Sequence, residues 1–164
     1  MKFVLLGAPG AGKGSQAAVM ADYYKIPHIS TGDVFRAHLK AGTEIGVLAK
    51  SYMDKGLLVP DDVVDKIVEQ RLAEPDCVSG FILDGYPRTI PQAEALSKVT
   101  DLDYVVDIVV AKDIVVKRIS GRRMCMCGAT YNTNSYDSPF CEKCGKQLYQ
   151  REDDKKETVL KRLE

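Results

Sequence analysis

The stretch GAPGAGKGS, residues 7–15, follows the apolar run FVLL of residues 3–6 and precedes a segment with a helical pattern. A glycine-rich turn between a strand and a helix is the context in which a phosphate-binding loop occurs. Glycines let backbone N–H groups approach an anion, and the helix N-terminus adds about half a positive charge. Lys13 would supply a point charge for the β- and γ-phosphates of a nucleotide. The stretch therefore predicts a nucleotide-phosphate site, the alternative being a glycine-rich turn without a ligand.

Short apolar runs alternate with helical patterns along the whole chain. Four strands are predicted, near residues 2–6, 27–29, 81–84 and 104–110. The last run is β-branched and nearly all apolar, which is typical of a parallel strand covered on both faces. Strands that alternate with helices indicate an α/β fold with a parallel sheet.

Two short motifs have the form of a helix cap. STGD at residues 30–33 and TIPQ at residues 89–92 both match a capping box, so each should open a helix. At Gln92 this leaves two interpretations open. Its amide can serve the helix cap, or it can present a donor and an acceptor to an adenine base.

Composition narrows the function classes. The chain has 164 residues, with 23 Lys and Arg against 23 Asp and Glu, and 45% of its residues are hydrophobic. These values exclude a disordered chain and give no support to a broad nucleic-acid or polybasic membrane surface. No apolar run approaches the ~18 residues of a membrane span, and the first run ends too early for a signal peptide. We expect a cytoplasmic protein that binds phosphate through local groups.

Four of the five cysteines lie close together, at Cys125, Cys127, Cys141 and Cys144. In a reducing compartment such a cluster favours a metal site over disulfides. The second pair has the two-residue gap of a zinc knuckle, whereas a single residue separates the first pair. The alternative is four reduced thiols without a metal. Cys77 lies apart and is interpreted as structural.

A glycine, Gly14, follows the lysine of the loop where Ser or Thr is usual, and in this the loop resembles that of nucleoside monophosphate kinases, above all adenylate kinases. Further motifs fall at the spacings of that family over the whole chain. They are STGD at 30–33 with Arg36, DGYPR at 84–88 with Gln92, GRR at 121–123, and Arg151, DD at 153–154 and Arg162.

The resemblance implies a three-layer P-loop α/β fold with a helical AMP-binding lobe and a small zinc-binding lid. The core would comprise residues 1–29, 60–121 and 155–164, the AMP lobe residues 30–59 and the lid residues 122–154. Adenylate kinases normally continue beyond this length with a helix and a final strand. We therefore expect a four-stranded sheet from which the final edge strand is missing.

The implied reaction is ATP + AMP = 2 ADP with Mg²⁺, as part of purine nucleotide homeostasis. Phosphoryl transfer needs positioning and charge neutralisation more than covalent chemistry, and the acceptor phosphate is already anionic, so no strong base is required. The alternative for any single arginine is a surface ion pair. By resemblance, the catalytic residues would be Lys13, Arg88, Arg122, Arg151 and Arg162.

The resemblance also assigns each ligand a set of residues. ATP would contact Gly10, Ala11, Gly12, Lys13, Gly14, Ser15, Arg118, Arg122, Thr130 and Tyr131. AMP would contact Thr31, Arg36, Leu57, Leu58, Val59, Gly85, Tyr86, Pro87, Arg88, Gln92, Arg151 and Arg162. Ser15 and Asp84 would hold Mg²⁺ through water, and Cys125, Cys127, Cys141 and Cys144 would hold a structural zinc. His28 and His38 receive no role.

Three other functions stay open. The chain could be a kinase for another nucleoside monophosphate, or a truncated ATP-binding zinc protein without turnover. A nucleic-acid role for the cysteine-rich lobe is weaker, because acidic residues offset its basic ones. The expected partners are ATP, AMP and ADP, without nucleic acid or membrane, and the expected state is a monomer.

Overall fold

The computed structural model describes residues 1–162, with the side chains of all of these except Lys156, Lys161 and Arg162. The strands are β1 (Lys2–Leu6), β2 (His28–Ser30), β3 (Phe81–Asp84), β4 (Tyr104–Asp107), β5 (Arg122–Met124) and β6 (Thr130–Asn132). The helices are α1 (Lys13–Tyr24), α2 (Thr31–Lys40), α3 (Glu44–Met53), α4 (Asp61–Leu72), α5 (Ile90–Val99), α6 (Lys112–Ser120) and α7 (Lys156–Arg162). Within this range no helix has the length and apolar character needed to cross a membrane.

The central sheet is parallel, with the strand order β2-β3-β1-β4. Val4 of β1 lies between Leu83 of β3 and Val105 of β4. The α/β class and the four-stranded parallel sheet predicted from the sequence are confirmed. Because all four strands point the same way, their carboxyl ends meet at one edge, where ligands gather in open α/β sheets.

Side chains of the inner strands alternate between two apolar layers, as the period of a strand requires. Phe3, Leu5 and Ile82 pack on α1 around Ala17. The opposite face packs on the helices α2, α4 and α5. That layer includes Val4, Ile29, Leu83, Phe35, Val64, Ile67 and Leu96. Helices therefore cover both faces of the inner strands, as expected for a three-layer fold.

The prediction that the last strand is covered on both faces is wrong. β4 ends at Asp107 rather than near residue 110, and Tyr104, Val105 and Val106 are 53%, 57% and 40% exposed. Two structural reasons explain this. β4 is the edge strand of the sheet, and Val115 of the following α6 packs on α7 rather than over β4.

Both predicted helix caps form. The Ser30 hydroxyl accepts a hydrogen bond from the Asp33 N–H at the start of α2, at 3.4 Å. The Thr89 hydroxyl accepts one from the Gln92 N–H at the start of α5, at 3.2 Å. These caps fix the chain direction where β2 and the segment after β3 leave the sheet edge.

The cysteine-rich lobe contains a two-stranded antiparallel hairpin, β5 and β6, which the sequence analysis did not predict. Its strands have only three residues each, too short to show a clear alternation. Among the residues of this lobe, the most deeply buried apolar side chains are two cysteines, Cys125 and Cys141, each 2% exposed. The lobe thus lacks an ordinary apolar core.

Candidate active site

A large cleft of about 1810 Å³ opens at the carboxyl ends of the sheet strands. The phosphate loop forms its floor, and segments after β2 and β3 form one side. The β5–β6 lobe forms the other side. The predicted site residues that line it are Gly10, Ala11, Gly12, Lys13, Gly14, Ser15, Arg36, Leu57, Leu58, Asp84, Gly85, Pro87, Arg88, Arg118, Arg122, Thr130, Tyr131 and Arg151.

The loop has the backbone shape that its glycines predict. Gly10 and Gly12 have φ values of 77° and 107°, which side-chain-bearing residues rarely adopt. A Cβ on Gly10 would also lie 2.4 Å from Ile119 Cγ1. Lys13 opens α1, and its Nζ donates hydrogen bonds to Gly7 O at 2.8 Å and Ala8 O at 3.1 Å. The ammonium group is therefore held across the loop beside the helix N-terminus.

Asp84 ends β3 next to the phosphate loop. Its Oδ2 lies 3.5 Å from the position that a Cβ on Gly14 would take, so the carboxylate approaches the loop directly after Lys13. His28 Nε2 lies 3.4 Å from the same oxygen. The carboxylate and the hydroxyl of Ser15, which lines the same cleft, are oxygen donors of the kind that Mg²⁺ prefers, directly or through water. The donor set of this corner therefore fits magnesium.

A second, smaller cavity of about 50 Å³ lies beside the cleft. Thr31 and Arg88 converge on it, since the Thr31 hydroxyl and Arg88 Nε both donate hydrogen bonds to Gly85 O, at 3.0 and 2.7 Å. Apolar side chains form most of its remaining wall. The predicted AMP residues that line this cavity are Thr31, Leu57, Leu58, Val59, Gly85, Arg88 and Gln92.

The side chain of Gln92 is 2% exposed and makes two hydrogen bonds through its amide. Its Oε1 accepts from the Arg88 backbone N–H at 2.7 Å, and its Nε2 donates to Asp61 Oδ1 at 2.7 Å. The Thr89 hydroxyl donates to the other oxygen of Asp61 at 2.8 Å. Gln92 therefore helps to hold the start of α5 and also lines the smaller cavity.

Tyr86 lines neither cavity. It is buried, and its hydroxyl donates to Asp65 Oδ1 at 2.7 Å and contacts Gln92 O at 3.2 Å. Burial is the largest cause of a raised pKa at Tyr86, and the hydrogen bond to Asp65 adds to it. The phenol thus braces α4 against α5.

Three cleft arginines have a carboxylate partner. We call these the arginine–carboxylate pairs. They are Arg36–Asp33 at 3.2 Å, Arg122–Asp154 at 2.7 Å and Arg151–Asp153 at 2.8 Å, measured from Nε to the carboxylate oxygen. Burial would raise the pKa of Asp33, but the Arg36 guanidinium outweighs this effect and the pKa is lowered. Arg151 also lowers the pKa of Asp33, so its positive charge acts on the first turn of α2.

The four clustered cysteines converge on one point. Their Sγ atoms all lie within 4.8 Å of one another, with 3.4 Å between Cys125 and Cys144 and 3.6 Å between Cys127 and Cys141. Four thiolates at the Zn–S distance of about 2.3 Å form a tetrahedron with edges of about 3.8 Å. The set therefore fits a structural zinc, and the single-residue gap in the first pair does not prevent it.

A tyrosine hydroxyl supports the ligand form of one of these thiols. Tyr131 OH lies 3.3 Å from the Sγ of Cys141. This hydrogen bond is the largest cause that lowers the pKa of the Cys141 thiol, to about 6. A thiolate is the form that binds a metal.

Comparison with known proteins identifies the family. A family model described as "Adenylate kinase" matches residues 5–164. The chain belongs to the adenylate kinase family. It is 54% identical to the adenylate kinase of Alkaliphilus oremlandii (strain OhILAs) over an alignment of 173 positions, which covers 100% of this chain and 80% of that protein. It is 55% identical to the adenylate kinase of Caldanaerobacter subterraneus subsp. tengcongensis over 175 positions, with coverage of 100% and 78%.

A third adenylate kinase is nearly as similar. The protein of Methanosarcina mazei is 52% identical over 172 positions, with coverage of 100% of this chain and 80% of the relative. Members of the adenylate kinase family are phosphotransferases that bind ATP, AMP and ADP and use Mg²⁺ with ATP. The expected family, enzyme class and magnesium cofactor are therefore confirmed, and the thiol cluster agrees with the zinc-containing form of the lid.

The structure also adds residues that the sequence analysis did not name as functional. His28 lines the cleft beside Asp84, and Asp61 holds the amide of Gln92. The sequence offered one signal for His28, which is that the carboxyl ends of parallel strands lie together. His28 is in β2, and the last residue of β2, Ser30, pairs with Asp84. No short motif marks Asp61. The side chain of Arg162, which was expected to be catalytic, lies outside the described part of the structure.

Proposed function

We propose that this chain transfers the terminal phosphoryl group of ATP to AMP reversibly, giving two ADP. An oxygen of the AMP phosphate attacks the γ-phosphorus, and the bond to the β,γ-bridging oxygen breaks. The observation that carries this proposal is that Lys13 on the phosphate loop and Arg88 beside the smaller cavity line one continuous cleft. One cleft can thus bring a donor and an acceptor phosphate together.

ATP takes the side of the cleft formed by the phosphate loop. Backbone N–H groups of Gly10, Gly12 and Gly14 and the Lys13 ammonium meet its phosphates, because the loop presents them at the N-terminus of α1. The Arg118 guanidinium donates a hydrogen bond to Ala11 O at 3.3 Å. Arg118, Thr130 and Tyr131 line the part of the cleft that we assign to the base and ribose of ATP. The ATP residues are Gly10, Ala11, Gly12, Lys13, Gly14, Ser15, Arg118, Arg122, Thr130 and Tyr131.

AMP takes the side that includes the smaller cavity. Its phosphate meets Arg36 and Arg88, and its base lies near Thr31 and Gln92. The AMP residues are Thr31, Arg36, Leu57, Leu58, Val59, Gly85, Tyr86, Pro87, Arg88, Gln92, Arg151 and Arg162. Of these, Tyr86 acts by bracing the pocket wall.

The arginines neutralise the transferring phosphoryl group, whose charge is spread over its oxygens. Arg88 bridges the acceptor and the transferring group, and Arg122, Arg151 and Arg162 close on the phosphates from the other side. Mg²⁺, held through water by Ser15 and Asp84, would neutralise phosphate charge as well. An arginine in such a position can raise kcat by a factor of about 10³–10⁵.

Three moving units complete the proposal. The core comprises residues 1–29, 60–121 and 155–164, the AMP lobe residues 30–59, and the zinc lid residues 122–154. Both lobes close over the cleft to exclude water, a step that often limits turnover. We further propose that the enzyme is a cytoplasmic monomer that serves purine nucleotide homeostasis without nucleic-acid or membrane partners.

The test is ADP formation from ATP and AMP with Mg²⁺, using this 164-residue chain and GMP, CMP and UMP as control acceptors. We expect turnover with AMP far above that with the other acceptors, and little turnover in Lys13→Met. ATP binding is measured in parallel by calorimetry. Binding without turnover would contradict the proposal and favour a nucleotide-binding zinc protein.

A further inference from the structure

We propose that Asp61 fixes the orientation of the Gln92 amide and thereby makes the acceptor site select 6-amino over 6-oxo purines. Asp61 is a positioning residue in this proposal, since it acts through Gln92. The inference rests on the proposed function, because it takes Gln92 to contact the acceptor base.

The two partners of the Gln92 amide leave it one orientation. The Arg88 backbone N–H can only donate, so it must face Oε1, and the Asp61 carboxylate can only accept, so it must face Nε2. Both hydrogen bonds are 2.7 Å long and agree on the same assignment. Turning the amide over would place oxygen against carboxylate and N–H against N–H.

Asp61 is itself held in place. It lies in the first turn of α4, and its Oδ2 accepts a hydrogen bond from the hydroxyl of Thr89, the N-cap of α5, at 2.8 Å. The carboxylate therefore cannot rotate to follow a turned Gln92 amide without losing this second partner. Gln92 is 2% exposed, so water cannot replace a lost partner easily.

The fixed amide still has capacity for a base. A primary amide has two N–H groups and two oxygen lone pairs, and each atom uses one of these in the described structure. Gln92 also lines the smaller cavity. It can thus offer one donor and one acceptor in a fixed order to a base placed there.

That order distinguishes two classes of purine. Adenine has an amino donor at position 6 beside a ring acceptor, whereas a 6-oxo purine has an acceptor at position 6. A Gln92 amide that pairs with one class must turn over to pair with the other. The hydrogen bond to Asp61 opposes this turn, so we expect the wild-type chain to prefer AMP over IMP.

The test compares kcat/KM for AMP and IMP in Asp61→Asn. The asparagine amide is isosteric with the carboxylate and can donate to the oxygen of a turned Gln92 amide. The variant therefore removes the oxygen–carboxylate conflict that opposes the turn, while the conflict with the Arg88 N–H stays. We expect the preference for AMP to fall on the order of tenfold, the effect of one hydrogen bond. The change should lie in KM for the acceptor, with KM for ATP unchanged.

Asp65→Asn is the matched control. Asp65 lies one turn further along α4 and accepts from the buried Tyr86 hydroxyl, but it does not bond the Gln92 side chain. It should leave the ratio of AMP to IMP unchanged. Thr89→Val removes the hydroxyl that holds Asp61, together with the N-cap hydrogen bond of α5, and gives a second test if Asp61→Asn does not fold. It should lower the ratio in the same direction.

The outcomes separate this inference from the proposed function. A lower ratio in Asp61→Asn but not in Asp65→Asn supports it. An unchanged ratio in Asp61→Asn, or equal changes in both variants, overturns it while the kinase function stands. Failure of the wild-type chain to phosphorylate AMP overturns the proposed function itself.

Discussion

Arg122 and Asp154 join the first strand of the cysteine-rich lobe to the turn that precedes α7. Arg122 Nε donates to Asp154 Oδ2 at 2.7 Å, and Nη2 donates to the other carboxylate oxygen. The Asp154 side chain is fully buried, while that of Arg122 is 23% exposed on the cleft side. The ion pair therefore links Arg122, which lines the cleft, to a fully buried carboxylate.

Loss of Arg122 should cost stability as well as activity. Arg122→Ala leaves the Asp154 carboxylate buried without its cation, so we expect the free energy of unfolding to fall by about 3 kcal/mol. Urea denaturation measures this. Arg122→Ala combined with Asp154→Asn should regain stability without regaining activity. A single Arg122→Ala variant as stable as the wild type would contradict this assignment of the pair.

Arg88 should affect rate rather than stability. Its Nε donates a hydrogen bond to the backbone carbonyl of Gly85, and the residue lines both cavities. For Arg88→Ala we expect kcat to fall by about 10³ with an unchanged melting temperature. Arg71→Ala is the matched control, because Arg71, near the end of α4, pairs with Asp76 just beyond that helix and lines neither cavity. A near-normal rate in Arg88→Ala would refute the catalytic role.

Zinc should be necessary for the order of the lobe. Cys144→Ser removes one of four thiolates, so we expect a lower zinc content by elemental analysis and a lower melting temperature. Cys77→Ser is the control, because this buried thiol contacts Arg71 rather than the cluster. It should retain full zinc content even if its stability falls. Equal zinc contents in the two variants would show that the cluster does not bind the metal.

Tyr86 should make the chain sensitive to alkaline pH. Its pKa in the folded state is raised above the value of about 10 expected when unfolded. The stabilising contribution is therefore fully present below pH 10 and is lost as the pH rises through the folded pKa. We expect Tyr86→Phe to destabilise the chain by about 2 kcal/mol at pH 8, because it leaves Asp65 without its buried donor.

The same variant provides the pH test. Unfolding free energies of wild type and Tyr86→Phe are compared between pH 8 and pH 11 by urea denaturation. The difference should shrink above about pH 10, because only the wild type has the phenol that ionises more readily when unfolded. A difference that stays constant over this range would contradict the raised pKa.

The sequence was sufficient where the decisive signals are local. The phosphate loop, the caps at Ser30 and Thr89, and the inner strands all depend on neighbouring residues. The sequence-based prediction failed at β4, because an apolar run does not reveal whether a later helix covers that strand. The partner of Arg122 was also beyond reach, since Arg122 and Asp154 are 32 residues apart. The same holds for Asp61 and Gln92, which only the packing of α4 on α5 brings together.

The arginine–carboxylate pairs have a consequence for competing ions. Each of these three guanidiniums already has an anion of the protein beside it, so their three positive charges are neutralised within the protein itself. A lone sulfate or inorganic phosphate must displace a tethered carboxylate and gains little by the exchange. A nucleotide reaches several of these positions at once and adds contacts from its base and ribose. At these three positions, small anions should therefore compete weakly with a whole nucleotide.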